Sequence, residues 1–309
     1  MFKIKKGLNL PISGVPSSEV DLSTAINSIA VLGSDYVGLK PTMMVEEGET
    51  VSSGQKLFEN KKNPGTFITA PSSGVVKSIN RGEKRRFLSV IIETDDSIES
   101  KAFYHDDYDN SIDFLADSGA LSYFRTRPYN RMPGLNSTPS AIFINACDSS
   151  PLSVDPFEMV KLDQDLFNSG LKFINTISPT TKTFCTFHNP NFDQSVEHIN
   201  YAQFSGPHPS GLVGTHIHFL HPVGQNRNVW TISWQDVVSL GHLLEHKTLR
   251  TNKLVSLGGP NVLEPKIFKI SYGANLSELT AGKIKDASRV ISGSVLNGHK
   301  ADSVMNYLG

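Results

Sequence analysis

The sequence predicts a multidomain protein of mixed α/β and β class, laid out as three segments in chain order. Three observations carry this reading. Short β-type runs broken by Gly and Pro fill the first hundred residues, strand and helix patterns alternate through the middle, and short strands and turns return after residue 254. A length of 309 residues fits two or three cores, since one core usually serves about 100–200 residues.

In the first segment, strand-like runs fall at 29–32, 42–45, 65–69, 75–79 and 88–93, with no periodic stretch long enough for a helix. This pattern predicts a small barrel or sandwich. Residues 93–113 then hold eight acidic residues and three serines, which reads as a solvated linker or loop ending in a short helix at 112–118. The middle segment opens on AIFINAC at 141–147, a buried-strand run. Apolar residues at helical spacing predict a helix over 157–174, with Gly170 near its end. Strands are expected at 182–187, 201–204 and 228–233. Ser233 and Asp236 form a capping-box-like start to a helix over 234–245. This alternation predicts an α/β layer with a largely parallel sheet. The last segment shows strands at 255–257, 267–270 and 289–292 and one helical patch at 276–280, an α+β module small enough to need a neighbour.

Composition narrows the function. A formal net charge of −1 argues against a nucleic-acid partner, which needs a basic face. Two cysteines cannot make a disulfide framework, and this favours a reducing compartment. Nor can they supply the four thiolates that an iron–sulfur cluster usually takes. No apolar run approaches the roughly 20 residues of a spanning helix; AIFINAC is far shorter and contains Asn145. The N-terminal MFKIKKG has the charges of a signal peptide without its apolar region. Neither a transmembrane segment nor a signal peptide is expected.

Three places can carry chemistry. Seven of the ten histidines fall between His198 and His246, and the densest run is SGPHPSGLVGTHIHFLHPV at 205–223. As a strand it would put His216 and His218 on one face, with His221 able to complete a metal site. As a helix it would pair His218 with His221 instead. As a Gly-rich turn it would bring backbone amides to a ligand through Gly206, Gly211 and Gly214. It matches no phosphate fingerprint. His208, Gly211, Gly214, His216 and His218 are therefore candidates to line a cavity, with a structural turn as the alternative, and no metal ligand is assigned. The second place is RTRPYNRMP at 125–133. Its three arginines, aromatic and prolines suit a clamp for an anion or a planar ring, or else a solvated loop paired with the acidic linker. The third is DYVGLKPTMM at 35–44, an adaptable apolar surface or a packed core. Cys147 and Cys185 read as buried inert thiols, and the nucleophile elbow G-x-S-x-G does not occur. No residue is assigned a catalytic role.

Several stretches converge on one family. MFKIKKGLNLPISGVP, LGSDYVGLKPTMMVEEGETVSSGQKLFENKKNPGTFITAP, RTRPYNRMP, GPHPSGLVGTHIHFLHPV and RVISGSVLNGHKA closely resemble the NqrA family, one of the subunits of the sodium-translocating NADH:quinone oxidoreductase. The likeness runs through essentially the whole chain. Family members continue past Gly309, so a C-terminal region is expected to be missing. The resemblance implies a domain of residues 1–100 with a lipoyl/biotinyl-like barrel-sandwich core at about 30–95. It implies a Rossmann-like α/β domain at 101–253, similar to the flavoprotein domain of respiratory complex I. It also implies an SLBB-like β-grasp module at 254–309, cut short of the family's length. Val45, Gly48, Val51, Gly54 and Leu57, followed by APSSGVV at 70–76, carry the barrel pattern. Lys62 lies nine residues before Pro71 rather than the eight of carrier domains, so neither Lys61 nor Lys62 is expected to be modified. The Gly-rich loop for flavin phosphate has no equivalent, which puts flavin and NADH binding by this chain in doubt.

The family implies a peripheral subunit on the cytoplasmic side of the bacterial inner membrane, at the quinone-reducing end of electron transfer coupled to sodium export. Ubiquinone would be the substrate of the complex. No tightly bound cofactor is expected in this subunit, with flavins and an iron–sulfur cluster in others. Its partners would be the other subunits of a six-subunit complex, above all the membrane subunit that bears the quinone site. The isolated chain is not expected to be active alone. Within this reading Tyr36, Leu39, Lys40, Met43, Arg125, Arg127, Tyr129 and Arg131 are the quinone-binding candidates. A cofactor-free scaffold or ligand-sensing subunit with a degenerate nucleotide-binding domain is one alternative. A histidine-ligated metalloprotein is another.

Overall fold

The computed structural model describes residues 1–178 and 180–309. The chain divides into two compact units, each drawn from two stretches: residues 1–11 with 103–247, and residues 12–102 with 248–309. Among the described residues no helix is long and apolar enough to cross a membrane.

The first unit is built on a six-stranded sheet. Its order is Phe2–Lys3, Ile199–Ser205, Lys182–Phe187, Ala141–Ala146, Val229–Ser233 and Arg125–Arg127, parallel throughout except for the last strand. Ala141–Ala146 is central and almost wholly buried, which is why it reads as an unbroken apolar run. Ala141 and Phe143 point to one face, where Phe184, Val229 and Ile217 complete a cluster. Ile142 and Ile144, both fully buried, alternate to the other.

Among the described residues five helices accompany this sheet: α1 (Ser111–Ser118), α2 (Pro156–Val160), α3 (Gln164–Ile177), α4 (Val213–Leu220) and α5 (Trp234–His246). Helix α1 begins at Ser111, one residue before the expected start at 112, because the Asn110 side chain accepts from the N–H groups of Ile112 and Asp113. Ser233 caps α5 by accepting from the Asp236 N–H, and its hydroxyl reaches the Asp236 carboxylate. The expected helix over 157–174 is in fact three pieces. Asp155 and Pro156 start α2 one residue early, a single 3-10 turn covers Lys161–Asp163, and Asp163 leaves helical geometry (φ −135°, ψ 38°) before α3 begins.

Gly170 lies inside α3 rather than near its end, and packing explains why. A Cβ on Gly170 would collide with the Val237 carbonyl of α5, and one on Gly241 of α5 would collide with the Leu166 carbonyl of α3. The two helices touch backbone to backbone through this reciprocal pair, while Phe167, Leu171 and Ile174 bury the rest of the α3 face.

The second unit holds the barrel. A four-stranded antiparallel sheet (Ser28–Leu32, Phe87–Thr94, Gly74–Arg81, Thr50–Val51) and a three-stranded one (Pro41–Met43, Lys56–Asn60, Phe67–Thr69) enclose Ile29, Leu32, Val51, Leu57, Phe58, Val76 and Val90. The expected strands stand within one or two residues of these bounds. The C-terminal stretch adds a sheet of Asn252–Leu257, Lys266–Ser271 and the early strand Val20–Asp21. It also adds helix α6 (Leu276–Thr280) and a hairpin of Ile291–Ser292 with His299–Lys300. The strand expected at 289–292 is therefore only its last two residues. Hydrogen bonds tie this stretch to the first barrel strand: Ala30 N–H to Gly273 O at 2.8 Å, Asn275 N–H to Ser28 O at 3.0 Å and Asn27 N–H to the Glu278 carboxylate at 2.6 Å.

The reciprocal glycine contact makes a testable claim. Alanine is the better helix former by about 1 kcal/mol, yet Gly170→Ala or Gly241→Ala is expected to lower stability by about 1–3 kcal/mol through overpacking. Denaturant unfolding monitored by circular dichroism measures this, and a gain in stability from either variant would contradict the contact.

Candidate functional site

The first candidate surface belongs to the barrel unit. After Leu32 the chain makes a 3-10 turn, Gly33–Asp35, and the Tyr36 N–H closes onto Gly33 O. Leu39 N–H then donates to Tyr36 O at 3.1 Å, around Gly38 in the left-handed region at φ 75°. Asn60 receives the Lys40 N–H at 3.5 Å, and the Lys40 carbonyl accepts from Lys61 N–H at 2.9 Å. The Tyr36 ring stands edge-on to Phe58 at 6.4 Å, and Phe58 meets Phe87 at 5.1 Å, so the barrel core holds it. Tyr36, Leu39 and Met43 are half-buried and Lys40 is exposed. Within the same segment, two residues outside the eight named candidates are the more exposed: Val37 at 46% and Met44 at 50%. The surface offers apolar, polarizable contact edged by an ammonium group, which suits a flat ring with polar substituents.

The second candidate surface belongs to the α/β unit. Arg125–Arg127 is an edge strand, antiparallel to Val229–Ser233. The turn that follows is closed by Thr126 N–H to Arg131 O at 2.7 Å and Asn130 N–H to Thr126 O at 2.7 Å. The Arg125 guanidinium folds back on the Ser122 and Phe124 carbonyls. Arg127 is half-buried, its Nε is buried without a partner, and burial lowers its pKa. Tyr129 is 71% exposed and carries the Arg131 guanidinium over its ring at 5.8 Å. No aspartate or glutamate occurs between Asp117 and Asp148, so this loop lacks local counter-charge. The eight quinone candidates thus fall as four in each unit.

The histidine segment is a turn followed by helix α4. A helix sets residues two apart on nearly opposite sides, and this decides among the three sequence readings: His216 is buried, His218 and Gly214 are exposed. His216 Nε2 lies 2.7 Å from the Ser210 carbonyl, which can only accept, so Nε2 carries the proton. Nδ1 then accepts from the Thr186 hydroxyl at 2.9 Å. Both nitrogens are occupied, and burial lowers the pKa of the ring to about 4, keeping it neutral. His208 joins Ser149 through Nδ1 at 3.0 Å. His221 Nε2 meets Ser140 Oγ at 3.1 Å. Among the described residues no three His, Cys, Asp or Glu side chains gather as a metal site. Burial raises the pKa of both Cys147 and Cys185, keeping them as thiols.

These bonds pin the turn onto the sheet. Asn145 donates to Gly211 O at 3.1 Å, Gly211 N–H donates to Ser149 Oγ at 2.8 Å, and a Cβ on Gly211 would collide with the backbone of Asp148 and Ser149. The turn therefore sits on the residues that follow the central strand. In doubly wound folds that is where the first strand-to-helix turn receives a phosphate. At the start of α5, the other side of the switch point, the Asp236 carboxylate already engages Ser233. These residues do not fit a nucleotide phosphate. Thr186, Asn145 and Ser149 make the arrangement; Asn145 stands out in sequence only as the polar residue of an apolar run, and Thr186 and Ser149 carry no periodic signal of their own.

Three family models match the chain in order: the NqrA N-terminal barrel-sandwich hybrid domain over residues 2–95, the NqrA second alpha/beta domain over 108–249 and the NQRA C-terminal domain over 254–303. The chain belongs to the NqrA family. It is 43% identical to the NqrA subunit of the Na(+)-translocating NADH-quinone reductase of Yersinia pestis, over all of this chain and 71% of that protein. The same identity and coverage relate it to the corresponding subunit of Neisseria gonorrhoeae. The barrel-sandwich, α/β and SLBB-like parts of an NqrA protein are thus all present, and both candidate surfaces lie in stretches that the family models cover.

The neutral His216 sets a pH dependence in this NqrA chain. Its folded pKa of about 4 lies below the ordinary 6.5, so the unfolded chain binds a proton first as pH falls. The stabilisation is complete above about pH 6.5 and declines by about 3 kcal/mol as pH drops to about 4. Denaturant midpoints measured from pH 7.5 to pH 4.5 should fall along this window in the parent chain and flatten in His216→Gln. An equal slope in the variant would contradict the assignment.

Proposed function

We propose that this NqrA chain is a peripheral subunit on the cytoplasmic side of the bacterial inner membrane and works at the quinone-reducing end of a sodium-translocating NADH–quinone reductase. The relatives are named as a subunit of such a reductase. The observation that carries the finer reading is the apolar segment 36–44, where Val37 and Met44 are exposed and Leu39 and Met43 half-buried beside exposed Lys40, with Tyr36 and Asn60 holding it to the barrel. In a protein of a quinone-reducing family, such a strip supports contact with a hydrophobic, planar substrate. Tyr36, Leu39, Lys40 and Met43 are one candidate surface, which would offer apolar contact to a quinone ring. Arg125, Arg127, Tyr129 and Arg131 are a second candidate surface of their own, which would offer stacking and positive charge to a reduced, anionic quinone. Ubiquinone would be substrate of the whole complex, and electrons would reach it through flavins and an iron–sulfur cluster of other subunits. The membrane subunit bearing the quinone site would be the nearest partner, and the isolated chain would not turn over alone.

The pinned turn supports a division of labour within the chain. The α/β sheet serves as scaffold, with its former phosphate position taken by residues 206–212, while the outward loops do the binding.

Photo-crosslinking of the purified complex with a reactive ubiquinone analogue tests the proposal. Label is expected within residues 36–44 or 125–133, and excess ubiquinone should suppress it. Label confined to other subunits would sink the reading.

A further inference from the structure

We infer that one pole of the barrel is a docking face for a bilayer containing anionic phospholipid. Three turns meet at this pole. Leu32, the last residue of the first barrel strand, pairs with Ser89, and Arg81 pairs with Phe87 across the hairpin turn 81–87. A Cβ on Gly33 would strike the Phe87 carbonyl, so turn 33–40 starts against the base of that hairpin. Lys61 N–H donates to Lys40 O at 2.9 Å, and the Asn60 side chain accepts from Lys62 N–H at 3.2 Å, which brings turn 61–66 alongside. The rings of Tyr36, Phe58 and Phe87 join the three from within the barrel. Turn 81–87 carries Arg81, Lys84, Arg85 and Arg86, and the other two add Lys40, Lys61 and Lys62. All seven are exposed, and among the described residues none forms an ion pair with this chain's own acids. Against them stand only Asp35 and Glu83, so the three turns sum to +5 in a chain whose total is −1, and the remainder is −6.

The chemistry of the face selects a lipid surface. A cluster of about four to eight Lys and Arg is what an anionic bilayer attracts. Val37, 46% exposed on the same pole, adds apolar contact at the headgroup boundary. The hairpin is closed by Gly82 N–H on Arg86 O at 2.8 Å and Arg86 N–H on Glu83 O at 3.1 Å, with Lys84 and Arg85 in the left-handed region at its tip. Its charges therefore stand on a fixed loop and need little ordering to meet a surface. Four of the seven cations are lysines, which protein interfaces disfavour, and the only aromatics of the three turns, Tyr36 and Phe87, are half-buried and buried. A long polyanion such as a nucleic acid would run past the face and meet the negative remainder of the chain. The relatives are named as a subunit of a Na(+)-translocating reductase, and ion translocation requires a membrane. The inference rests on the proposed membrane-side reading for where the lipid lies, and deepens it by bringing segment 36–44 to the phase in which a hydrophobic quinone dissolves.

The test is co-sedimentation of the purified chain with vesicles of phosphatidylcholine alone and of phosphatidylcholine mixed with phosphatidylglycerol. Binding is expected to the mixed vesicles only, and should fade as sodium chloride rises from about 0.1 M to about 0.5 M. The triple variant K84Q/R85Q/R86Q should bind the mixed vesicles about 100-fold more weakly at an unchanged melting midpoint. A second variant, K61Q/K62Q, leaves the hairpin intact and should lose about tenfold or more. None of these five residues is a quinone candidate, so both variants should still take label from a soluble ubiquinone analogue. Equal binding to neutral vesicles, no binding to the mixed ones, or unchanged binding by both variants overturns the inference. So does tighter binding to a short single-stranded DNA than to the mixed vesicles. Poorer retention of either variant in the lipid-free, detergent-solubilised complex also overturns it and gives the face to a protein partner. Vesicle binding that follows the predicted pattern, with no quinone label in this chain, leaves the docking face standing while the quinone reading fails.

Discussion

A single neutral imidazole holds the α/β unit in its particular form. His216 gives its one proton to the Ser210 carbonyl and takes the Thr186 hydroxyl in return. A buried turn must satisfy its backbone groups inside the protein. Here His216 does so together with Asn145 and Ser149, the latter also bonded to His208. The N-terminal strand depends on the same turn, with Leu8 N–H on His208 O at 3.0 Å and Ile4 N–H on Ser205 O at 2.8 Å. Protonating His216 would turn its Nδ1 from acceptor to donor and leave the Thr186 hydroxyl to donate to Ile144 O at 3.2 Å instead, while burial, which lowers the ring's pKa, favours the neutral form.

The consequence for function is a change of use. A doubly wound sheet ordinarily offers a crevice at the carboxyl ends of its strands. In this chain the turn around Gly211 packs on Asp148 and Ser149 at that position, and the proposed quinone surfaces lie elsewhere, around Tyr36 and around Tyr129. Net charge hides this arrangement. A total of −1 leaves room for a cationic loop with no acid for some thirty residues, and for an acidic stretch at 93–113 just before it.

Much of the fold was legible because local rules agreed. The Ser233 cap, the AIFINAC strand and the α6 helix each combine propensity, periodicity and a boundary residue. What escaped was set by contacts across the fold. Gly170 reads as a helix end, yet it lies mid-helix because Val237 presses on it. Asp163 breaks α3 from α2 with no proline or glycine to announce it. The histidine run stayed ambiguous between strand, helix and turn, since His216 and His218 differ only in what α4 packs against. The quinone candidates were legible as residue types; Val37 and Met44 joined them once exposure was known. The unpartnered Nε of Arg127 could not be read at all, because burial of one atom is invisible in a sequence.

We propose that the chain takes a quinone on its loops and that the crevice of its α/β sheet does not take a nucleotide. Equilibrium binding of a soluble ubiquinone analogue, NADH and FMN to the purified chain, compared side by side, tests it most directly. The account predicts saturable binding of the quinone alone. Saturable binding of NADH or FMN, or no binding of the quinone, would contradict it.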